Sequence, residues 1–115
     1  MSRISRATAP RYLWGEGCEG WHLLADAQLS VIEECVPAGA GEVMHRHVHA
    51  RQFFYVLDGE AVLEIAGETH PLSTGEGLHV APGVAHQFRN ESGAEVRVLV
   101  ISTPPSHGDR IEEST

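Results

Sequence analysis

The chain of 115 residues carries a formal net charge of −8, and all eight of its Lys-plus-Arg positions are arginine. That balance repels a phosphate backbone and no basic cluster offsets it, which excludes a nucleic-acid role. The absence of any lysine amine excludes Schiff-base and pyridoxal-phosphate chemistry as well.

The length suits one domain around a single core. Only two cysteines occur, Cys18 and Cys35, with no CxxC pair. They read as reduced thiols of an intracellular protein rather than a disulfide framework. Arg3, Arg6 and Arg11 punctuate the N-terminus, and no apolar run there has the length of a signal peptide or membrane helix. The expectation is a soluble cytoplasmic protein with no membrane association.

Residues 1–20 mix arginine, Pro10 and three glycines without sustained periodicity, so they read as an N-terminal arm with at most one short strand. Within it, Gly15-Glu16-Gly17-Cys18-Glu19-Gly20 matches the GxGxxG pattern. No convincing strand signal precedes it and no helix or βαβ unit follows it to hold a pyrophosphate, so it reads as a glycine-rich turn. From Trp21 onward, short runs rich in β-branched and aromatic residues alternate with Gly and Pro. The predicted strands are Trp21–Leu24, Gln28–Val36, Gln52–Leu57, Ala61–Ile65, Leu78–Ala81, Ala85–Asn90 and Glu95–Ile101. Asp58-Gly59 reads as a tight hairpin, and Ala66-Gly67, Pro82-Gly83 and Ser92-Gly93 mark further reversals. Many short strands with frequent turns predict an all-β sandwich or barrel over residues 21–103. The tail, residues 104–115, opens with Pro104-Pro105 and cannot extend a central strand. It is expected to lie over the surface or a neighbouring subunit, with a poorly ordered tail as the alternative.

Two clusters of potential metal ligands stand on this pattern. The first is Gly39-x5-His45-x-His47-x4-Gln52-x6-Gly59, and the second is Gly75-x5-Ala81-x-Gly83-x2-His86-x3-Asn90. His45 and His47 lie two apart, so in a strand both imidazoles face one side. Neutral imidazoles with one oxygen ligand and open positions suit one divalent first-row metal per chain, and geometry does not choose among Fe, Mn, Ni, Zn and Co. Gln52 is the fourth ligand in this reading, or else orients an imidazole or a bound water. His49 shares the parity of the pair but sits where the strand turns, which favours the surface over a substitute ligand.

Weaker candidates surround them. His79 is a candidate acid or base on a strand leading to Pro82, with a structural histidine as the alternative. Glu33 and Glu34 fall on opposite faces of an apolar strand, so one turns inward; with Glu33 taken as that residue, it is a candidate general base. Arg51 is placed to clamp a substrate carboxylate, or is simply solvated. Phe54 and Tyr55 alternate faces, so one lines the cavity and both have a plain packing role as the alternative. His22, His70 and His107 have no supporting constellation.

The two linked motifs resemble those of the cupin family, in which the first supplies two histidines and a carboxylate and the second a third histidine. The resemblance implies a double-stranded β-helix, the jelly-roll barrel of RmlC-like proteins. The Arg51-Gln52-Phe53-Phe54-Tyr55-Val56-Leu57 and Pro105-Ser106-His107-Gly108-Asp109-Arg110 segments are similar to those of a group of small bacterial cupins, which brings no substrate with it. Two departures stand out. Ala81 with Pro82 moves a proline by one residue, and Gln52 stands where most cupins have Glu. A neutral amide leaves a bound metal one unit more positive and a stronger polariser of a carbonyl or hydroxyl. Three histidines with a glutamine resemble the set of cupins that ketonise unsaturated uronate products and of cupin-type hydroxynitrile lyases. The resemblance therefore implies a metalloenzyme that uses Lewis-acid proton transfer on a small oxygen-bearing substrate, of isomerase, lyase or cyclase type. An iron-dependent dioxygenase and a non-catalytic small-ligand binder are the alternatives. An open sheet edge and the arm predict a homodimer.

Overall fold

The computed structural model describes residues 3–106 and 108–113, so His107 and the last two residues of the tail lie outside the described part. Among the described residues there is no helix, hence none long and apolar enough to cross a membrane. The strands are β1 (Arg11–Trp14), β2 (Cys18–Ala25), β3 (Ser30–Val36), β4 (His45–His47), β5 (Arg51–Asp58), β6 (Glu60–Ile65), β7 (Glu68–Ser73), β8 (Gly77–Val80), β9 (His86–Arg89), β10 (Val96–Thr103) and β11 (Arg110–Glu112). They form two antiparallel sheets, a six-stranded one in the order β1-β2-β3-β10-β5-β8 and a five-stranded one in the order β11-β4-β9-β6-β7. Facing each other, the two make a jelly roll.

Period-two alternation decides which side chains enter the space between the sheets. Along β10, Val96, Val98, Val100 and Ser102 are buried in turn; along β5, Gln52, Phe54 and Val56 are. On β9 the buried pair is His86 and Phe88. The core is therefore apolar through most of its length, with Phe54, Val56, Leu63, Phe88, Val96 and Val98 at its centre. At one end the same inward columns turn polar, through Gln52, Ser102 and His86. That end is also where β4 brings His45 and His47.

One turn differs from the sequence expectation. Asp58-Gly59 is not a hairpin: it joins β5 of one sheet to β6 of the other. A turn dipeptide signals a change of direction, and nothing local distinguishes a return along the same sheet from a corner between sheets. Gly59 suits the corner because its φ is +107° and a Cβ would meet the Glu95 carbonyl oxygen at 3.1 Å. Pro82-Gly83 likewise lies between sheets, whereas Ala66-Gly67 closes a true two-residue hairpin between β6 and β7. The sequence expectation lacked β7 because Pro71 interrupts it; as an edge strand it tolerates the missing donor.

The terminal segments also belong to the sheets. β1 pairs with β2 across the Gly15–Gly17 turn, so the GxGxxG segment is the bend and first residues of a hairpin. After Pro104-Pro105 the chain returns, and β11 pairs with β4 so that Arg110 opposes His47 and Glu112 opposes His45. Asp109 fastens this return. Its carboxylate accepts backbone N–H bonds from Val48 (3.1 Å), His49 (2.9 Å) and Ala50 (2.8 Å), the loop between β4 and β5. These bonds hold the Asp109 carboxyl below its usual range, the Ala50 amide being the largest cause. Cys18 and Cys35 are both free and buried.

Candidate metal centre

The polar end of the core holds three imidazoles, those of His45, His47 and His86, 1%, 5% and 1% exposed. One ring nitrogen from each lies within 4.8 Å of the others. His45 and His86 oppose each other directly across β4 and β9, which fixes their approach. The Nδ1–H of His45 donates to the Val43 carbonyl at 2.7 Å and that of His86 to the Val84 carbonyl at 2.9 Å. Both Nε2 lone pairs are left for the cluster. His47 has no partner for either ring nitrogen, although both are buried. Such an orphan costs about 1–3 kcal/mol unless something fills it.

Gln52 completes the arrangement. Its Nε2 donates to the Ser102 hydroxyl at 3.0 Å, which turns Oε1 toward His86 Nε2 at 3.1 Å. With His86 Nδ1–H already engaged, that contact sets two lone pairs face to face. Protonating His86 would remove the conflict, but burial lowers the pKa of all three imidazoles, that of His45 to about 3. They stay neutral and basic toward a cation at ordinary pH. A divalent metal answers both the orphaned imidazole and the opposed lone pairs, so the residues fit such an ion.

The cluster opens into a cavity of about 270 Å³ whose wall includes Tyr12, Trp14, Glu34, Glu42, Val100 and Arg110. The Tyr12 hydroxyl donates to Glu34 Oε2 at 2.8 Å. Burial pushes the Glu34 carboxyl up to about 7 against the lowering effect of that bond, and burial with the Glu34 charge holds the Tyr12 phenol well above its usual range. Glu42 is pushed up to about 8, mainly by burial and then by Glu34.

A pH signature follows. A carboxyl whose pKa is raised on folding holds its proton longer in the native than in the unfolded chain, so stability falls as pH rises from about 4.5 to about 7. Glu34→Gln keeps the Tyr12 bond and removes the titration. The metal-free variant is expected to gain stability over the wild type, by on the order of 2 kcal/mol near pH 8 relative to pH 4.5. Urea midpoints across that range check it, and superimposable profiles would refute a carboxyl held neutral.

The remaining sequence candidates lie away from the cavity. Glu33 is on the outer face of β3, where Arg97 at 3.0 Å and Arg6 at 3.4 Å pair with it. Register explains the exchange with Glu34: Glu34 opposes Val98, an inward residue, whereas Glu33 opposes Leu99. His79 is exposed on β8 and accepts a bond from Arg51 Nε at 3.2 Å, so these two pair on the outside of the sandwich. Tyr55 is exposed beside Phe53 on the outer face of β5. Phe54 points inward but sits below the cavity, stacked on Phe88 at 5.7 Å and edge-on to His86 at 5.8 Å. His49 is exposed. A broader groove of about 800 Å³ lies between the N-terminal arm and the outer sheet face, lined by Arg6, Trp21, Glu33 and Arg97. Its two arginines both pair with Glu33, and no imidazole lines it.

Sequence reasoning missed Tyr12, Glu42, Ser102 and Arg110. Ser102 alone was recoverable, since it shares parity with Val96, Val98 and Val100.

Two facing sheets around a buried three-imidazole and amide set define a jelly-roll protein with a metal-type site. The chain belongs to the cupin family: the family model described as a cupin domain matches residues 32–102, a segment that contains all four candidate ligands. An uncharacterised protein of Methanocaldococcus jannaschii is 27% identical over 81 residues, covering 70% of this chain and 65% of its own. CurC of Streptomyces cyaneus, named a polyketide synthase, is 33% identical over 60 residues, covering 52% of this chain and 39% of its own. The chain thus spans less than two thirds of these relatives' lengths. Among solved structures, the polyketide cyclase RemF from Streptomyces resistomycificus superposes with a TM-score of 0.86 at 19% identity, over 100% of this chain and 87% of that one, a likeness of fold.

Proposed function

We propose that this cupin is a metal-dependent enzyme that moves a proton on a small, enolisable, oxygen-bearing substrate, with an isomerase, lyase or cyclase outcome. The observation that carries the reading is one cavity lined both by His45, His47 and Gln52 of the cluster and by the hydrogen-bonded Glu34 and Tyr12 pair. A divalent transition ion held by His45, His47, His86 and Gln52 supplies Lewis-acid polarisation of a substrate oxygen when bound. Glu34 takes a proton from the carbon adjacent to the polarised carbonyl and returns it elsewhere on the substrate, a role suited to a carboxyl pushed up to about 7. Tyr12, donating to Glu34 Oε2, holds that carboxyl in one orientation and leaves its other oxygen free. A cavity of about 270 Å³ lies just below the usual range for ligand sites, about 300–1,000 Å³, and so favours a small substrate. The designation of RemF as a polyketide cyclase supports the cyclase branch.

The test is deuterium exchange at the α-carbon of simple β-diketones and 2-keto acids, followed by NMR with metal-loaded protein. Wild type is expected to catalyse exchange and Glu34→Gln to lose about 10²–10⁴-fold while keeping its metal. Oxygen consumption coupled to turnover would replace the reading with a dioxygenase. Tight binding without exchange would leave a ligand-binding module.

A further inference from the structure

Among the described residues, Glu42 is the acidic side chain within ion-pair distance of the imidazole cluster. It lies in the β3–β4 loop, three residues before His45, and its Oε2 stands 3.7 Å from His45 Nε2. Its position is built rather than incidental. The Glu42 amide donates to the Phe88 carbonyl at 2.8 Å, and the Phe88 amide returns a bond to Glu42 Oε1 at 3.1 Å. Gln87 Nε2 donates to the Glu42 carbonyl at 2.9 Å. The loop comes this close to β9 because residue 41 is glycine: a Cβ there would stand 2.7 Å from Arg89 Cβ and 2.9 Å from the Phe88 carbonyl oxygen. The result is a carboxylate with one oxygen tied to the strand that carries His86 and the other aimed at His45.

What Glu42 lacks is a cation. Among the described residues no arginine is within ion-pair distance, and the lone contact of that kind is to His45. The Nδ1–H of His45 is spent on Val43, so an ionised Glu42 places Oε2 against a nitrogen lone pair. With Glu42 ionised, this is a second acceptor-to-acceptor contact around the cluster, besides that of Gln52 with His86. Both contacts become attractive with positive charge between them. Glu42 is nonetheless outside the 4.8 Å group formed by the three imidazoles, which places it beside the ligand set rather than in it.

We propose that Glu42 is the charge-compensating carboxylate of the metal site, restoring from the loop before the His-x-His pair the negative charge that Gln52 leaves out. The ligand set remains three imidazoles and an amide, and the ion's net charge is balanced from the flank. This concerns the metal site and is independent of the reaction assigned to it.

The test is competitive chelator titration of metal-free protein with Zn(II) and Co(II), for wild type, Glu42→Gln and Glu42→Gln/Gln52→Glu. Glutamine keeps the acceptor for the Phe88 amide, and thermal melts of the metal-free proteins check that each variant is folded. The expected result is a 10–100-fold weaker affinity in Glu42→Gln and recovery of at least tenfold in the double variant, whose carboxylate has moved to position 52. Wild-type affinity in Glu42→Gln overturns the proposal, and so does a loss that the second substitution fails to rescue. A wild type that binds neither ion is a failure of the metal site itself, read separately from either outcome.

Discussion

Replacing His86 by alanine is expected to reduce bound transition metal from near one ion per chain to below a tenth, and replacing His45 is expected to do the same. Each imidazole has one nitrogen tied to a backbone carbonyl and the other turned into the cluster. Loss of either removes a pre-aimed ligand, and His49, which shares the parity of His45 and His47, is exposed. Elemental analysis of untagged protein measures the effect directly. The thermal melt reports it independently. Metal at a thousand times its Kd stabilises the native state by about 4 kcal/mol. For a chain of this size that is on the order of 10–20 °C in Tm. The wild type should show that rise on metal addition and both variants should not. Retention of stoichiometric metal in either variant would remove the cluster from the metal site and, with it, the reading of function built on it.

His45 and His47 were legible as a pair because strand parity is the one geometric fact a local sequence states plainly, and Gln52 and His86 joined them through the spacing of the two linked motifs. His45 with His47, and Gln52 with Phe54 and Val56, fall on one face each by counting in twos. What counting cannot supply is register between strands distant in sequence. Glu33 and Glu34 alternate correctly on paper, but only the pairing of Glu34 with Val98 says which of them faces the cavity. The Asp58-Gly59 corner failed for a related reason, since sheet membership is a tertiary property. Tyr12, Glu42 and Arg110 were illegible in another way. Each reaches the cavity from a segment whose position depends on long-range contacts: the β1 hairpin on β3, the Gly41 loop on β9, and the tail through Asp109 on the β4–β5 loop. The tail in particular reads as breaker residues, and its return to β4 rests on backbone bonds to a loop some sixty residues away.

Phe54 marks the boundary between what supports the site and what acts in it, and Phe54→Ala is the substitution expected to cost most stability. The side chain is 1% exposed, lies in the inward column of β5, stacks on Phe88 and touches the ring of His86 edge-on. Truncating a buried phenylalanine typically costs about 3–5 kcal/mol through lost transfer energy and the cavity left behind. For a domain of this size that lowers Tm by on the order of 10–25 °C. A second consequence follows from the contact with His86: without the ring at its side, the imidazole gains freedom to rotate about its bond to the Val84 carbonyl, and metal affinity falls. A substrate-contacting phenylalanine would behave differently, with binding of substrate weakened and stability nearly intact. Thermal melts of the metal-free protein, paired with Zn(II) titration of whatever fraction remains folded at 15 °C, separate the two. A large drop in Tm accompanied by weaker metal binding places Phe54 as the floor beneath the cluster. An unchanged Tm would mean that the core does not close around this ring and that the polar end of the sandwich is held by the imidazole-to-carbonyl bonds alone.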